Sequence, residues 1–333
     1  MTYNHASYIQ DALTGFSIQQ TTFPVVYVIV DDASTDDTAS VIQTFLKEHF
    51  DLYDTTVAYE TETDYAHIIH AKHKENINCF FTVLFLKENH YSQKKNKDPY
   101  LKEWKEHAKY LAFCEGDDYW TASDKLQKQV DFLESHPEYS MCYATCRYYH
   151  QNTQKFDKYA WGGGATSLEQ LLKGNKIPTL TVVERMSVHE KYREFRDNTA
   201  VSDGWLMGDF PQWLFCATQG KLFFWKSEVG VYRVLSDSAS HGGNMQRKLA
   251  FSMNMVDIME FFNDSFDGGY AKDYFEKLKG ILRLRTFAMY GCFGKYVKEW
   301  GRLVKNDKSF LLDKNAYKYL VFFISPRLRN SNK

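Results

Sequence analysis

The chain has 333 residues, 44% hydrophobic and 25% charged, with a formal net charge of −1, which fits a soluble globular protein and argues against a nucleic-acid binder. No basic stretch followed by an apolar run opens the chain, so no signal peptide is expected. The longest apolar run near the C-terminus, YLVFFI, is far too short to span a bilayer. Six scattered cysteines (Cys79, Cys114, Cys142, Cys146, Cys216, Cys292) show no CxxC or zinc spacing and are expected to be reduced, as in a cytoplasmic protein.

In chain order, residues 7–16 (SYIQDALTGF) place Tyr8, Ile9, Ala12, Leu13 and Phe16 on one helical face behind Ser7 as N-cap. VVYVIV (25–30) is a β-branched run of the kind that forms a strand covered on both faces. Ser34 with Asp37 resembles a capping box, followed by a helix carrying Ala39, Val41, Ile42, Phe45 and Leu46. CFFTVLF (79–85) reads as a strand, NHYSQKKNKDPY (89–100) as a basic loop, EWKEHAK as helix and YLAFC (110–114) as strand. After EGDDYW comes a helix stopped at His136-Pro137, then a strand at YSMCYA (139–144). This alternation predicts a mostly parallel sheet wrapped by helices.

The second half is less regular. WGGGA (161–165) is a glycine-rich turn lacking a P-loop lysine, SLEQLLKG a short helix, TLTVVER a strand, and Asp209 opens a helix through FPQWLFCATQG. KLFFW and VGVYRV are two strand-like pieces, and the pattern is helical from about Asn244. The stretch from Tyr270 to Lys333 carries 15 Lys/Arg against 5 Asp/Glu. Its aromatic, basic helices are read either as a solvated pair or as a peripheral contact with an anionic membrane.

Two acidic clusters end strands: Asp31-Asp32, and Glu115-Gly116-Asp117-Asp118. In open α/β sheets, ligands bind beyond the carboxyl ends of the strands. Carboxylates there suit Mg²⁺ or Mn²⁺ when phosphate supplies further oxygens. Capping of the following helices is the competing reading for both clusters. His67, His70 and His73 in HIIHAKH sit at i, i+3 and i+6, a spacing that gathers side chains on one helical face. With no partnering cysteine or carboxylate at a metal-site spacing, they are expected to be ordinary histidines. Lys94, Lys95 and Lys97 read as a solvated loop or an anion contact, and Trp205 and Trp213 as core or sugar platforms.

TYNHASYIQDAL, followed by VIVDDASTDDT and then EGDDYW, resembles the family 2 glycosyltransferases of the GT-A fold over about residues 2–240, with SDGWLMGDFPQWL and VGVYRV where that family has acceptor-side motifs. The resemblance implies an α/β GT-A-type domain at 1–243, with a nucleotide-binding half at 1–145 and an acceptor half at 146–243. A helical basic region at 244–333 follows it. The family places an apolar strand immediately before TYN where this chain has only Met1, so Met1 is expected to be an internal residue of a longer chain whose first strand is missing here. The resemblance further implies that Thr2, Tyr3, Asp31 and Asp32 contact base and ribose. Asp117 and Asp118 form the DxD-type pair, between ribose and a Mn²⁺ or Mg²⁺ ion bridging the diphosphate. By the same resemblance Asp209 is expected to be the general base, with Asp203 its rival. His241 is a weak candidate for the diphosphate.

The implied function is inverting transfer of a hexosyl group from a nucleotide diphosphate sugar to a hydroxyl of a glycan or lipid-linked acceptor, in surface polysaccharide synthesis at the inner face of a membrane. Two alternatives stand beside it. One is a nucleotide-sugar-binding module that has lost catalysis. The other is a phosphotransferase of the HAD type, whose Asp-x-Asp spacing DDASTDDT lacks.

Overall fold

The computed structural model describes residues 1–235, 244–312 and 314–324; His241 lies outside them. The elements run α1 (Ile9–Ser17), β1 (Val25–Asp31), α2 (Thr38–His49), β2 (Phe50–Asp51), β3 (Tyr59–Glu62), β4 (Ala66–His73), β5 (Cys79–Leu86), α3 (Lys102–His107), β6 (Tyr110–Ala112), β7 (Tyr119–Trp120), α4 (Lys125–Ser135) and β8 (Tyr139–His150). They continue through β9 (Lys155–Phe156), α5 (Leu168–Leu171), β10 (Val183–Arg185), α6 (Met186–Asp197), α7 (Asp209–Gln219), β11 (Lys221–Val234), α8 (Met245–Phe266), α9 (Lys272–Met289), α10 (Phe293–Asn306), α11 (Lys314–Lys318) and α12 (Val321–Ile324). They form two compact units. The first comprises Met1–Ser167, Lys176–Glu194 and Gln219–Arg233; the second comprises Leu168–Asn175, Phe195–Thr218 and the described part of Val234–Lys333.

The first unit is α/β, as expected, but its sheets are mixed. One has the order β1-β5-β4-β2 with β3 on β4; the other runs β6-β10-β8-β11-β7 with β9 on β8. β1 and β5 run parallel from Val25↔Cys79 to Asp31↔Phe85, whereas β4 joins β5 antiparallel. β1 is covered along its second half only, since Val26 at its start is 41% exposed. The core below the sheet is aromatic: Phe16 stacks on Tyr27 at 5.1 Å and meets Trp120 edge-on at 5.1 Å, and Phe50 lies 4.3 Å from Phe81. Such pairs add to the burial of their large apolar area. α1 reaches this core through Gly15, where a Cβ would come within 2.7 Å of the Trp120 carbonyl oxygen. Helix α1 and the strand after the second acidic cluster are therefore packed backbone to backbone.

Several local expectations are corrected. HIIHAKH is strand, paired with β5 from Ala66↔Leu86 to Lys72↔Phe80, so its histidines alternate across the sheet instead of sharing a helical face. His67 faces Glu60 and Glu62, His70 bonds Thr82, and His73 accepts from the amides of Glu75 and Asn76. Ser7 does not cap α1, which starts at Ile9 without a side-chain cap. Ser34 and Asp37 form no capping box; Asp36 bonds the amide of Thr38 instead, and Ser34 serves Asp31. KLFFW and VGVYRV are one 14-residue strand, β11. TLTVVER is a 3₁₀ turn followed by a strand of three residues, and α6 continues directly from that strand. None of the six cysteines is in a disulfide, as expected, and burial pushes the thiol of Cys142 up to about 11.

Lys125, at the start of α4, is fully buried, its Nζ 4.2 Å above the Trp120 ring and without a hydrogen-bond partner among the described residues. Burial lowers its pKa to about 7. Between that value and about 10.4, where an unfolded lysine titrates, the unfolded chain holds a proton that the native state has released. Native stability therefore rises with pH across that window. Lys125→Met, which keeps the volume and removes the amine, is expected to be more stable than wild type at pH 6, with the gap closing towards pH 10.5. Urea denaturation at pH 6, 8 and 10 measures this, and a gap independent of pH would contradict it.

In the second unit, Asn244 caps α8 by accepting the Arg247 amide at 3.0 Å. α9 and α10 close on each other at Gly280, where a Cβ would lie 2.4 Å from Leu303, around a core of Leu284, Ala288, Tyr296, Leu303 and Phe310. α7 buries Phe210, Trp213, Leu214 and Phe215. Of the two tryptophans, Trp213 is a core residue, whereas Trp205 is half-buried and packs on Phe261 and Phe262. No helix among the described residues is long and apolar enough to cross a membrane.

Candidate functional site

The two acidic clusters are joined by the first two residues of the chain. Thr2 donates its amide to Val30 O at 2.9 Å and accepts the Asp32 amide at 3.0 Å, forming a parallel bridge with Asp31. On the other side, Met1 O accepts the Gly116 amide at 2.9 Å. Met1-Thr2 therefore lies between the end of β1 and the 115–118 turn, and both clusters share one rim of the first unit. Glycine is required at 116: a Cβ there would fall 2.7 Å from Thr2 Cβ and Oγ1 and 3.0 Å from His5 Nδ1.

The rim is braced from the chain that follows β1. Ala33 turns through a left-handed conformation (φ 57°), which a side chain adopts at some cost. Asn4 (φ 55°) donates its amide to Ser34 Oγ at 2.9 Å and accepts the Thr35 amide at 2.8 Å. Ser34 Oγ in turn donates to Asp31 Oδ1. Burial raises the pKa of Asp31, a shift opposed by Ser34 and increased by Asp36 and Asp32. Asp31 also borders a cavity of about 440 Å³ lined by Ser34, Gln43, His67, Phe85 and Lys87.

Asp32 has a different environment. Its Oδ1 accepts the His90 amide at 2.9 Å, its Oδ2 accepts the Tyr91 amide at 3.0 Å, and Lys97 Nζ stands 3.5 Å away. The carbonyl of Asp32 takes the Asn89 side-chain amide at 2.9 Å. Asp32 thus anchors the 89–97 loop, two of whose lysines are engaged locally: Lys97 with Asp32, and Lys95 with Glu88. The buried charge of Asp32 is met by donors, as burial of a carboxylate requires.

Asp117 is half-buried and Asp118 is 2% exposed. Asp118 Oδ1 accepts the Arg233 amide at 2.8 Å, whereas Oδ2 is buried with no hydrogen-bond partner among the described residues. Thr2 Oγ1 and His5 Nδ1 are unpartnered in the same way. Burial drives the pKa of Asp118 well above the usual carboxylate range, with Glu115 and Asp117 adding repulsion. Burial also lowers that of His5, against the pull of Asp117. An orphaned carboxylate oxygen beside a second carboxylate fits a hard divalent cation. The described residues hold no group of three or more His, Cys, Asp or Glu side chains placed to bind a metal by themselves. The cation that fits is Mg²⁺ or Mn²⁺, which takes one or two carboxylates and completes its shell with phosphate and water.

Asp209 is the first residue of α7 in the second unit, and the Phe210 amide donates to its Oδ1 at 2.7 Å. Asp203 lies in a 3₁₀ turn of the same unit. In WGGGA, Gly162, Gly163 and Gly164 all have positive φ, and Trp161 pairs with Cys146. No local pattern in the sequence singles out Arg233. Its one local signal is a charged residue at the end of the apolar run VGVYRV.

A family model for glycosyl transferase family 2 matches residues 1–195. Curated proteins described as uncharacterized, from Mycobacterium bovis and Mycobacterium tuberculosis, are 32% identical over 188 residues, which is 56% of this chain and 45% of theirs. The chain thus spans about half the length of the curated relatives it matches. The matched span contains both acidic clusters and the segment that ties them together, and it covers more than half of the chain: this protein belongs to glycosyl transferase family 2.

Proposed function

We propose that the chain transfers a hexosyl group from a nucleotide diphosphate sugar to a hydroxyl of a glycan or lipid-linked acceptor, with inversion, in surface polysaccharide synthesis. The observation that carries this reading is the unpartnered, buried Oδ2 of Asp118, set beside Asp117 on the rim it shares with Asp31. A Mn²⁺ or Mg²⁺ ion held by Asp117 and Asp118 would supply charge neutralisation for the departing diphosphate. Thr2, Tyr3 and Asp31 contact base and ribose. Asp32 acts on the same nucleotide and on the 89–97 loop it anchors.

Asp209 accepts the proton of the attacking hydroxyl; this role rests on the family resemblance, and helix capping is the rival account. Asp209→Asn is expected to lower kcat by about a hundredfold or more while leaving donor binding within twofold. An unchanged kcat would leave Asp209 as a cap. Donor binding without turnover in the wild-type chain, against every acceptor tried, would favour the binding-module reading.

The C-terminal region faces an anionic membrane surface in this reading. Support comes from Phe293 and Val297, exposed on α10 near Lys295, Lys298 and Lys305. Flotation with anionic vesicles that is lost at high salt is expected, and no flotation would remove the membrane contact.

A further inference from the structure

Arg233 ends the part of β11 that belongs to the first unit, and it is 5% exposed. Every nitrogen of its guanidinium has a protein acceptor. Nε donates to Asp117 O at 2.8 Å, one terminal nitrogen to Gln151 Oε1 at 2.8 Å, and the other to Asp11 Oδ2 at 2.6 Å. Its faces are covered by Tyr8, Tyr119 and Tyr149, with ring centroids at 4.9, 5.5 and 5.6 Å. A guanidinium so enclosed is not free to grip a substrate phosphate. It is a fixed cation that joins α1, β8 and the 117–118 turn.

The main chain of the same residue supplies the second hold. β11 pairs with β7 through Gly230↔Trp120 and Val231↔Tyr119. Gly230 allows this approach, since a Cβ there would sit 2.7 Å from Tyr119 O and 2.9 Å from Leu180 Cδ1. That register brings the Arg233 amide to Asp118 Oδ1 at 2.8 Å. One carboxylate oxygen is thereby occupied and the other is left without a partner.

We propose that Arg233 is a positioning residue of the donor site: its amide and guanidinium together clamp the 117–118 turn so that Asp118 presents a single oxygen, Oδ2, to a divalent cation. The inference rests on the reading of the acidic rim as a cation and diphosphate site. Lysine cannot replace arginine here, because three acceptors lie in three directions around one planar fork and an ammonium on a flexible stem offers no such geometry. Arg233 acts through Asp117 and Asp118 and touches neither substrate nor reacting atoms.

The test is Mn²⁺ binding to the full chain, followed by the electron paramagnetic resonance of free Mn²⁺, with UDP, GDP, CDP and ADP added in turn. Wild type, Arg233→Lys, Arg233→Met and Asp118→Asn are compared, with melting of each in EDTA as the measure of folding. Both Arg233 variants are expected to weaken Mn²⁺ binding about tenfold or more, with metal-free nucleotide affinity within twofold of wild type. A residue that merely supports the fold would lower the melting temperature and leave Mn²⁺ affinity alone. Folded Arg233→Lys or Arg233→Met protein that binds Mn²⁺ as tightly as wild type overturns the inference. If Arg233→Met does not fold, Arg233→Lys alone decides. Absence of Mn²⁺ binding by wild type with every nucleotide overturns the reading of the site itself, which separates the two failures.

Discussion

Asp118→Asn is expected to abolish metal-dependent donor binding and to lower transfer at least about a hundredfold, roughly 2.7 kcal/mol in the barrier, while leaving the fold intact. Asparagine keeps the oxygen that accepts the Arg233 amide and replaces the unpartnered oxygen by an NH₂ group that cannot ligate a cation. The stability effect has the opposite sign to the functional one. Burial, with repulsion from Glu115 and Asp117, raises the folded pKa of Asp118 well above the unfolded value. As pH rises past about 3.9, the unfolded chain releases a proton that the native state keeps, and native stability falls until Asp118 itself ionises. In EDTA at pH 7 the variant should therefore melt at or above wild type, with the difference vanishing below about pH 4. A variant that melts well below wild type in EDTA would mean that the carboxylate is structural. Full activity in the variant would remove Asp118 from the site.

Gly116→Ala is expected to be as damaging without touching any acidic side chain. The new Cβ would stand 2.7 Å from Thr2 Cβ and Oγ1, a separation real Cβ atoms do not show. Thr2 cannot retreat cheaply, because its backbone is bonded to Val30 and Asp32 on one side, and Met1 holds Gly116 on the other. Overpacking of this kind costs about 1–3 kcal/mol. Misplacing the rim by about 1 Å lowers transfer about a hundredfold. The control is Gly301→Ala in α10, where nothing lies within 4 Å of the added carbon. There alanine should leave activity unchanged and raise stability by up to about 1 kcal/mol. Thermal melts and initial rates on the three proteins measure both effects. Wild-type activity in Gly116→Ala would show that the tie through Met1-Thr2 does not hold the site together.

What local pattern carries in this chain is the apolar framework. The run VVYVIV, the helical face of Ile9, Leu13 and Phe16, and the strand CFFTVLF are legible because their burial repeats at a strand or helix period. The acidic pairs are legible for a related reason: adjacent carboxylates at the end of an apolar strand need an external partner. Pairing across long separations is what local pattern lacks. HIIHAKH has an irregular burial pattern, and the consecutive partners on β5 from His67 to Lys72 decide that it is strand. Ser34 fits a capping box in the sequence, yet the buried carboxylate of Asp31 takes its hydroxyl. The difference between Asp31 and Asp32 comes from amides at 90 and 91, and the clamp on Asp118 from a residue 115 positions away. Nothing near Asp118 in sequence announces Arg233.

The measurement that bears most directly on the acidic rim is a thermal-shift comparison of the full chain with nucleoside diphosphates of each base, with and without Mn²⁺. A ligand present at a hundred times its Kd stabilises the native state by about 2.7 kcal/mol, a shift of several degrees at most. One base is expected to produce such a shift when Mn²⁺ is present and a much smaller one without it, and Asp118→Asn is expected to lose the Mn²⁺-dependent part. Equal shifts in wild type and Asp118→Asn, or none with any nucleotide, would contradict the assignment of the rim to a cation and its diphosphate.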